Sequence, residues 1–264
     1  MSGRVFILLV LTALGFTGCE KVIPIDLNSA DPAVVAEGIL SLNEPCTVRL
    51  TQTTSYFGDE EPAILESAEV VLRESTGRSE TLLYKGNGWY AGRTIKGKEN
   101  QVYKLQITLG EKSWSAIAKM PAKTRILQLA ARENAYSRPG ASGKYQLECT
   151  FSDTPDVKEY YLIRYFKNGK LLNDYYTLVS DFISENNTIS FTSRMNTFDP
   201  GDQVEVRVYS VDVNVYNYFS MLDDVLGEGM ALSATPYNPV SNFSNGALGY
   251  FAAWAYDSMS ITLQ

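Results

Sequence analysis

The sequence predicts an all-β protein: two consecutive immunoglobulin-like β-sandwich domains, with one short helix inserted in the second. Three observations carry this expectation. Short runs rich in β-branched and aromatic residues recur from Val34 to Tyr256, punctuated by Gly, Asn and Pro. Only Tyr216–Leu226 places apolar residues at helical spacing. With 45% hydrophobic and 20% charged residues in 264, the chain can bury packed cores and is neither disordered nor collagen-like.

The first strands follow from residue type and alternation. Ala33–Leu40 comes first, then Cys46–Thr53, where Cys46, Val48 and Leu50 share one face and Thr47, Arg49 and Thr51 the other. Ala68–Arg73 and Glu80–Tyr84 follow. Gly86-Asn87-Gly88 is a turn leading into Trp89-Tyr90. Val102–Leu109 and Ser113–Lys119 join at Gly110-Glu111, a pair suited to a hairpin. Trp114 shares its face with Ala116 and Ala118, and Trp89, Trp114 and Trp254 are expected in the core. Pro121 and the basic residues Lys119, Lys123 and Arg125 mark a boundary, giving domains 31–122 and 123–264.

The second half is richer in aromatic residues. Lys144–Phe151 and Tyr160–Phe166 are strands, and Asn168-Gly169 turns the latter into Lys170–Leu178. Thr188–Thr192 is another. In Gln203–Val213 the residues Val204, Val206 and Val208 face one way, and the phase then passes to Val211, Val213 and Val215. A one-residue bulge near Tyr209-Ser210 accounts for such a flip. The helix follows, with Tyr218 or Phe219, Leu222, and Val225 or Leu226 on one side and Gly227 as its stop. Gly249–Tyr256, continuing toward Leu263, is the last strand.

Residues 1–18 form an address. Arg4 is a short positive start, Val5–Leu14 is apolar apart from Thr12, and Gly15-Phe16-Thr17-Gly18 leads into Cys19. The apolar run is too short to span a bilayer comfortably, since spanning needs about 20 apolar residues. Small residues directly before a Cys resemble a bacterial lipobox, in which Cys19 is acylated and becomes the mature N-terminus. Each buried acyl methylene adds about 0.8 kcal/mol of membrane affinity. Residues 19–30 then form a polar tether. The expected location is the outer membrane, lipid-anchored, with only Glu20 as a weak signal for the cell-surface face.

Composition excludes several functions. With no His, the chain lacks His-based triads, His general acid–base chemistry and His-containing zinc or iron sites. A net charge of −7 has the wrong sign for a general nucleic-acid binder. There is no G-x-S-x-G elbow, P-loop, G-x-G-x-x-G, C-x-x-C or S-x-x-K. No enzymatic activity and no cofactor are expected. A hydrolase working through two carboxylates is the least favoured alternative.

Other residues are weighed individually. Asp223, Asp224 and Glu228 gather at the helix end, where carboxylates oppose the helix dipole; a solvated acidic turn is favoured over a calcium site. Asp199-Pro200-Gly201-Asp202 is read as a turn rather than a metal loop. Cys46 and Cys149 are expected as separate buried thiols rather than a disulfide. Asp257-Ser258-Met259 fits a three-residue O-glycosylation pattern of low specificity.

Tyrosine is the unusual component, with 17 residues. Neighbours such as Tyr160-Tyr161 and Tyr175-Tyr176 must point to opposite sheet faces, so one of each pair lies outside the strand core and is available to stack on a sugar or anchor a partner. The irregular stretch Ser233–Phe251 is the other candidate contact surface. Within it Tyr237, Asn238, Asn242, Phe243 and Tyr250 are the expected ligand- or partner-binding residues.

Short motifs spread along the chain carry a family resemblance. They are Cys19 followed by Val22–Leu27 (VIPIDL), Val34–Leu40 (VVAEGIL), Ser67–Leu72 (SAEVVL), Gly88–Tyr90 (GWY), Val102–Leu105 (VYKL), Ala118–Pro121 (AKMP) and Asn238–Phe251 (NPVSNFSNGALGYF). In their order they resemble the Bacteroidetes outer-membrane lipoproteins grouped as domain-of-unknown-function family 4249. The resemblance implies a lipidated outer-membrane protein, often encoded beside a TonB-dependent receptor, and defines no catalytic residues. The expected function is a non-enzymatic accessory or ligand-binding partner of a TonB-dependent transporter in nutrient uptake. The alternative is a structural surface protein such as an adhesin or fimbrial component.

Overall fold

Alternation along the strands decides how the layers stack. The computed structural model describes residues 31–54, 61–138, 140, 142–172, 176–180, 186–226 and 237–264. The N-terminal strands are β1 (Val34–Ser41), β2 (Pro45–Gln52), β3 (Ala63–Ile64), β4 (Glu69–Glu74), β5 (Ser79–Thr81), β6 (Leu83–Gly86), β7 (Trp89–Lys96), β8 (Val102–Leu109) and β9 (Lys112–Lys119). Then come β10 (Ile126–Glu133), β11 (Tyr145–Ser152), β12 (Tyr160–Lys167), β13 (Lys170–Leu171), β14 (Thr177–Ser180), β15 (Thr188–Thr192) and β16 (Gln203–Val211). A single helix, α1 (Val213–Leu226), precedes the closing strand β17 (Leu248–Thr262).

The all-β sandwich expectation holds, with one helix in the second half. A ten-stranded sheet runs in the order β13-β12-β16-β17-β1-β2-β7-β6, with β14 beside β12 and β3 beside β2. A four-stranded sheet, β5-β4-β8-β9, faces one half of it, and a three-stranded sheet, β10-β11-β15, faces the other. The first core gathers Val48, Leu50, Leu72, Leu105 and Trp114. The second gathers Phe151, Tyr161, Tyr165, Phe198 and Val206.

β17 joins the two. Its 15 residues span about 50 Å at strand rise. Phe251, Ala253 and Ala255 close the first core, and Met259, Ile261 and Leu263, on the same face, pack against the second. At the step between them Asp257 accepts a hydrogen bond from Ile126 N at 2.9 Å and pairs with Lys123 Nζ at 3.1 Å. The segment after β9 is thereby pinned to the seam between the cores. β17 pairs in parallel with β1, with Ala36 opposite Gly249 and Glu37 opposite Tyr250; the other strand pairs are antiparallel.

Several local expectations are met. β8 and β9 meet around Gly110-Glu111 with Leu109 opposite Lys112. Asn168 and Gly169 both take positive φ, 52° and 79°, which a two-residue hairpin with native twist requires. Cys46 and Cys149 are free, buried and in separate cores. Burial, and secondarily Asp257, pushes the Cys149 thiol up to about 12, so it stays protonated and unreactive.

Other expectations need correction. No bulge interrupts β16 near Tyr209-Ser210: its pairing with β12 and with β17 is continuous. The apparent phase flip arises because β16 is buried on both faces from Val208 to Val211, and because Val213 and Val215 already belong to α1. The bulge lies in β7, where four residues, Gly92 to Ile95, stand between the partners of Thr47 and Pro45, opposite the single residue Cys46. Trp89 is 43% exposed, under the Arg49 guanidinium, because alternation gives the core position to Tyr90. β10 was not expected; its sequence, ILQLAARE, is rich in helix formers and mostly exposed, so neither period shows. Lys170–Leu178 is two strands, β13 and β14, on either side of residues 173–175, which lie outside the described residues.

The helix begins three residues before the expected Tyr216 because Asp212 caps it. Asp212 Oδ1 accepts from Asn214 N at 2.9 Å and Val215 N at 3.0 Å. Burial raises the Asp212 carboxyl above the usual range despite the bonds from Val215, Lys119 and Asn214. A raised folded-state value favours folding at acid pH and is lost as pH rises, so the ionised form costs stability at neutral pH. Asp212→Ala is expected to destabilise by about 1–2 kcal/mol, since two helix N–H groups lose their acceptor. Asp212→Asn keeps the cap without the charge; it should match or exceed the wild type at pH 7 and lose that advantage near pH 4. Urea denaturation at the two pH values checks both.

Candidate functional site

The outer face of the long sheet, away from both sandwich cores, carries the second set of strand side chains. In β12, Tyr161, Ile163 and Tyr165 enter the core, so Leu162, Arg164 and Phe166 point outward. In β16 the core takes Val204, Val206 and Val208, which leaves Arg207, Tyr209 and Val211 outside. β17 contributes Tyr250, Ala252 and Trp254, and β1 adds Glu37 and Ile39.

The helix α1 covers part of this face. Val215 and Phe219 are its buried residues, with Tyr216, Tyr218 and Leu222 packed beside them. Val225 and Leu226 are exposed, so the apolar stripe ends earlier than the sequence spacing indicates. Asp223 Oδ1 accepts from Tyr176 N at 2.7 Å, tying the segment before β14 to the helix.

Between helix and sheet lies a cavity of about 350 Å³ walled by rings. Tyr250 sits 5.0 Å from Tyr218 and 4.9 Å from Phe219, and Tyr176 sits 5.1 Å from Phe219. Tyr209 and Trp254, 5.0 Å apart, continue the wall along the sheet. Among the described residues, two charged ones line it. Glu37 arrives through its register with Tyr250, and the Arg164 guanidinium lies 4.9 Å over Tyr176.

The electrostatics keep the tyrosines as hydrogen-bond donors. Burial first, then the Glu37 charge, pushes Tyr218 up to about 12 and raises Tyr250 further still. Among the described residues, neither hydroxyl nor the Glu37 carboxylate finds a hydrogen-bond partner. A second cleft of about 300 Å³ opens between α1 and the chain before β17, lined by Asn214, Asn217, Met221 and Val240 among others.

A family model described as "Domain of unknown function (DUF4249)" matches residues 20–260, nearly the whole chain. The chain belongs to the DUF4249 family. No curated protein matches it. Among solved structures, this DUF4249 chain is similar to a chicken interferon gamma receptor alpha chain at 9% identity and TM-score 0.23, covering 69% of this chain and 90% of that one. It is similar to the FN1–FN3 domains of chicken CNTN1 at 10% identity and TM-score 0.26, covering 89% and 68%. A third likeness, to E. coli alpha-2-macroglobulin, has 8% identity and TM-score 0.21 and covers 70% and 14%.

The residues expected at the site are dispersed in the DUF4249 structure. Tyr250 is in the ring-walled cavity. Tyr237 and Asn238 are exposed at the surface. Asn242 uses its amide as a two-point clamp on β17, donating to Phe251 O at 2.8 Å and accepting from Phe251 N at 2.9 Å. Phe243 is buried in the first core and bridges to Ala116. Cys19 and Tyr175 lie outside the described residues. Tyr176, one of the paired tyrosines expected to offer an outward ring, lines the cavity. Glu37, Arg164 and Tyr218 were not singled out for the site in the sequence, although two of them leave a signal: Glu37 and Arg164 are charges embedded in otherwise apolar strands, VVAEGILS and YYLIRYFK.

The acidic turns act as structural joints. Asp199 accepts from Gly143 N, and Asp202 accepts from Asp199 N and pairs with Lys167 at 2.7 Å. Glu228 lies outside the described residues. Among the described residues no three His, Cys, Asp or Glu side chains are grouped to hold a metal ion. No described helix is long and apolar enough to cross a membrane. Ser258 is exposed on β17, while its neighbour Asp257 is engaged at the seam.

Proposed function

We propose that this protein is a lipid-anchored, non-enzymatic binding component of the outer membrane that serves a TonB-dependent transporter in nutrient uptake. The observation that carries the binding role is the cavity between α1 and the sheet. Its walls are aromatic, its described lining includes charged residues of both signs, and its volume falls within the roughly 300–1,000 Å³ of small-molecule pockets. The anchoring role rests on the address ending at Cys19 and the polar tether after it. A rigid sandwich with one helix laid over its outer face offers a fixed platform on which a ligand can be handed over.

Affinity purification of the full lipoprotein from detergent-solubilised outer membrane, followed by mass spectrometry, tests the partner. A TonB-dependent receptor at stoichiometric yield is expected. A monomer that stays alone in mild detergent overturns the transporter partnership and favours a structural surface protein such as an adhesin. Cys19→Ala should move the protein out of the membrane fraction; unchanged membrane association would overturn the lipid anchor.

A further inference from the structure

The cavity also carries information about its ligand, and this inference rests on the binding role proposed above. Among the described residues its charged lining is one carboxylate, Glu37, and one guanidinium, Arg164. A free cation approaches the Arg164 guanidinium and a free anion approaches the Glu37 carboxylate, so each meets a like charge. A purely apolar ligand leaves Glu37 desolvated without a hydrogen bond, which is among the costlier ways to bury a charge. The cavity therefore favours a molecule that is neutral overall and rich in groups that both donate and accept.

The polar atoms are laid out to match. Glu37 can only accept, whereas the protonated hydroxyls of Tyr218 and Tyr250 can donate as well as accept. Tyr250 lies within the electrostatic reach of both Glu37 and Arg164. A ligand hydroxyl between them donates to the carboxylate and accepts from a phenol, satisfying groups that have no partner among the described residues. The rings supply the rest: their negative faces attract the polarised C–H groups on the flat side of a sugar ring. A volume of about 350 Å³ suits one or two such rings.

We propose that the cavity between α1 and the outer face of the sheet is a carbohydrate site for a mono- or disaccharide, with Glu37, Tyr218 and Tyr250 as its hydrogen-bonding groups and the neighbouring rings as its stacking platform. Binding is read on the full lipoprotein in lauryldimethylamine oxide micelles, because alkyl maltoside detergents themselves carry a sugar. Glucose, galactose, mannose, xylose, N-acetylglucosamine, maltose and cellobiose are titrated to tens of millimolar. Saturation-transfer NMR and tryptophan fluorescence follow the titration, Trp254 being the tryptophan in the described cavity lining. Choline and phenylalanine serve as cationic and zwitterionic probes.

At least one sugar is expected to bind saturably. Glu37→Gln should weaken it about tenfold and Tyr250→Phe about fivefold, since each removes a hydrogen bond. Tyr136→Ala, at a side chain 89% exposed and outside the described cavity lining, should leave it unchanged. If Glu37→Gln lowers the melting temperature, Tyr250→Phe and Tyr218→Phe carry the test, because their rings keep packing. No sugar binding, sugar binding indifferent to these variants, or Glu37-dependent binding of choline or phenylalanine alone would overturn the proposal. A receptor recovered by affinity purification together with no sugar binding would leave the transporter role standing and remove only the ligand class.

Discussion

Gly249→Ala is expected to destabilise the protein by about 3 kcal/mol, the combined effect of a disallowed backbone and a steric overlap. Gly249 has φ +90°, a conformation that L side chains rarely adopt. A Cβ there would overlap the Ala36 carbonyl oxygen and approach the Ala36 carbonyl carbon to 2.8 Å. Both atoms are backbone of the strand paired with it, so no side-chain rotation relieves the contact. The residues sit opposite each other in the parallel β1–β17 pairing, which joins the first and last described strands of the fold. Gly246→Ala is the control: φ is +76°, but nothing lies within 4 Å of its Cβ, so only conformational strain of about 1 kcal/mol applies. Urea denaturation of both variants separates the two effects. Equal losses would show that close approach of β1 and β17 at this position contributes nothing. Because Tyr250 is the next residue, Gly249→Ala should also displace it from Glu37.

The second large effect is expected at Glu80, on β5. The long bulge in β7 takes Gly92 to Ile95 out of pairing with β2, and the backbone N–H groups of Arg93, Thr94 and Ile95 turn to the Glu80 carboxylate. The distances are 2.6, 2.9 and 2.8 Å, with a further contact of 3.1 Å from Thr94 N to the second oxygen. One carboxylate thus replaces a missing strand edge. Glu80→Ala leaves three donors without their acceptor and should cost about 2 kcal/mol, since charge-assisted bonds are worth roughly 1.5–3 kcal/mol each and water recovers part at a half-exposed site. Glu80→Gln should cost nearly as much, because one side of its amide can only donate.

The pH dependence at Glu80 has a definite sign. Burial opposes ionisation there, but the bonds from Ile95, Arg93 and Thr94 outweigh it and hold the carboxyl below its ordinary value of 4.5. A depressed folded-state value stabilises the fold above about pH 4.5, and that contribution is lost as pH falls through the folded-state value. The stability difference between wild type and Glu80→Gln should be constant from pH 7 to about 5 and narrow below 4.5. A difference independent of pH would mean that the charge on Glu80 contributes nothing.

The expected results differ in how far sequence could have foreseen them. Strand identity was legible wherever one face is buried and the other wet: Val102–Leu109 and Thr188–Thr192 coincide with β8 and β15. β10 was missed because an exposed edge strand has no apolar face to reveal its period. The supposed bulge in β16 and the real one in β7 show the same limit. Burial on both faces imitates a phase change, while an inserted loop satisfied by one distant carboxylate leaves no local mark.

The amino-acid sequence alone determined the all-β class, the short helix before the last strand, the separate buried thiols and the opposite orientation of Tyr160 and Tyr161. Each depends on period-two or period-3.6 patterning within a few residues. Tertiary structure alone decided that β17 lies parallel to β1, runs along both cores and brings Tyr250 beside Glu37. It also decided that rings from β16, β17 and α1 enclose one cavity with Arg164. Those contacts join residues as far apart as Glu37 and Trp254, and strand alternation fixes which face a side chain takes but not which strand lies beside it.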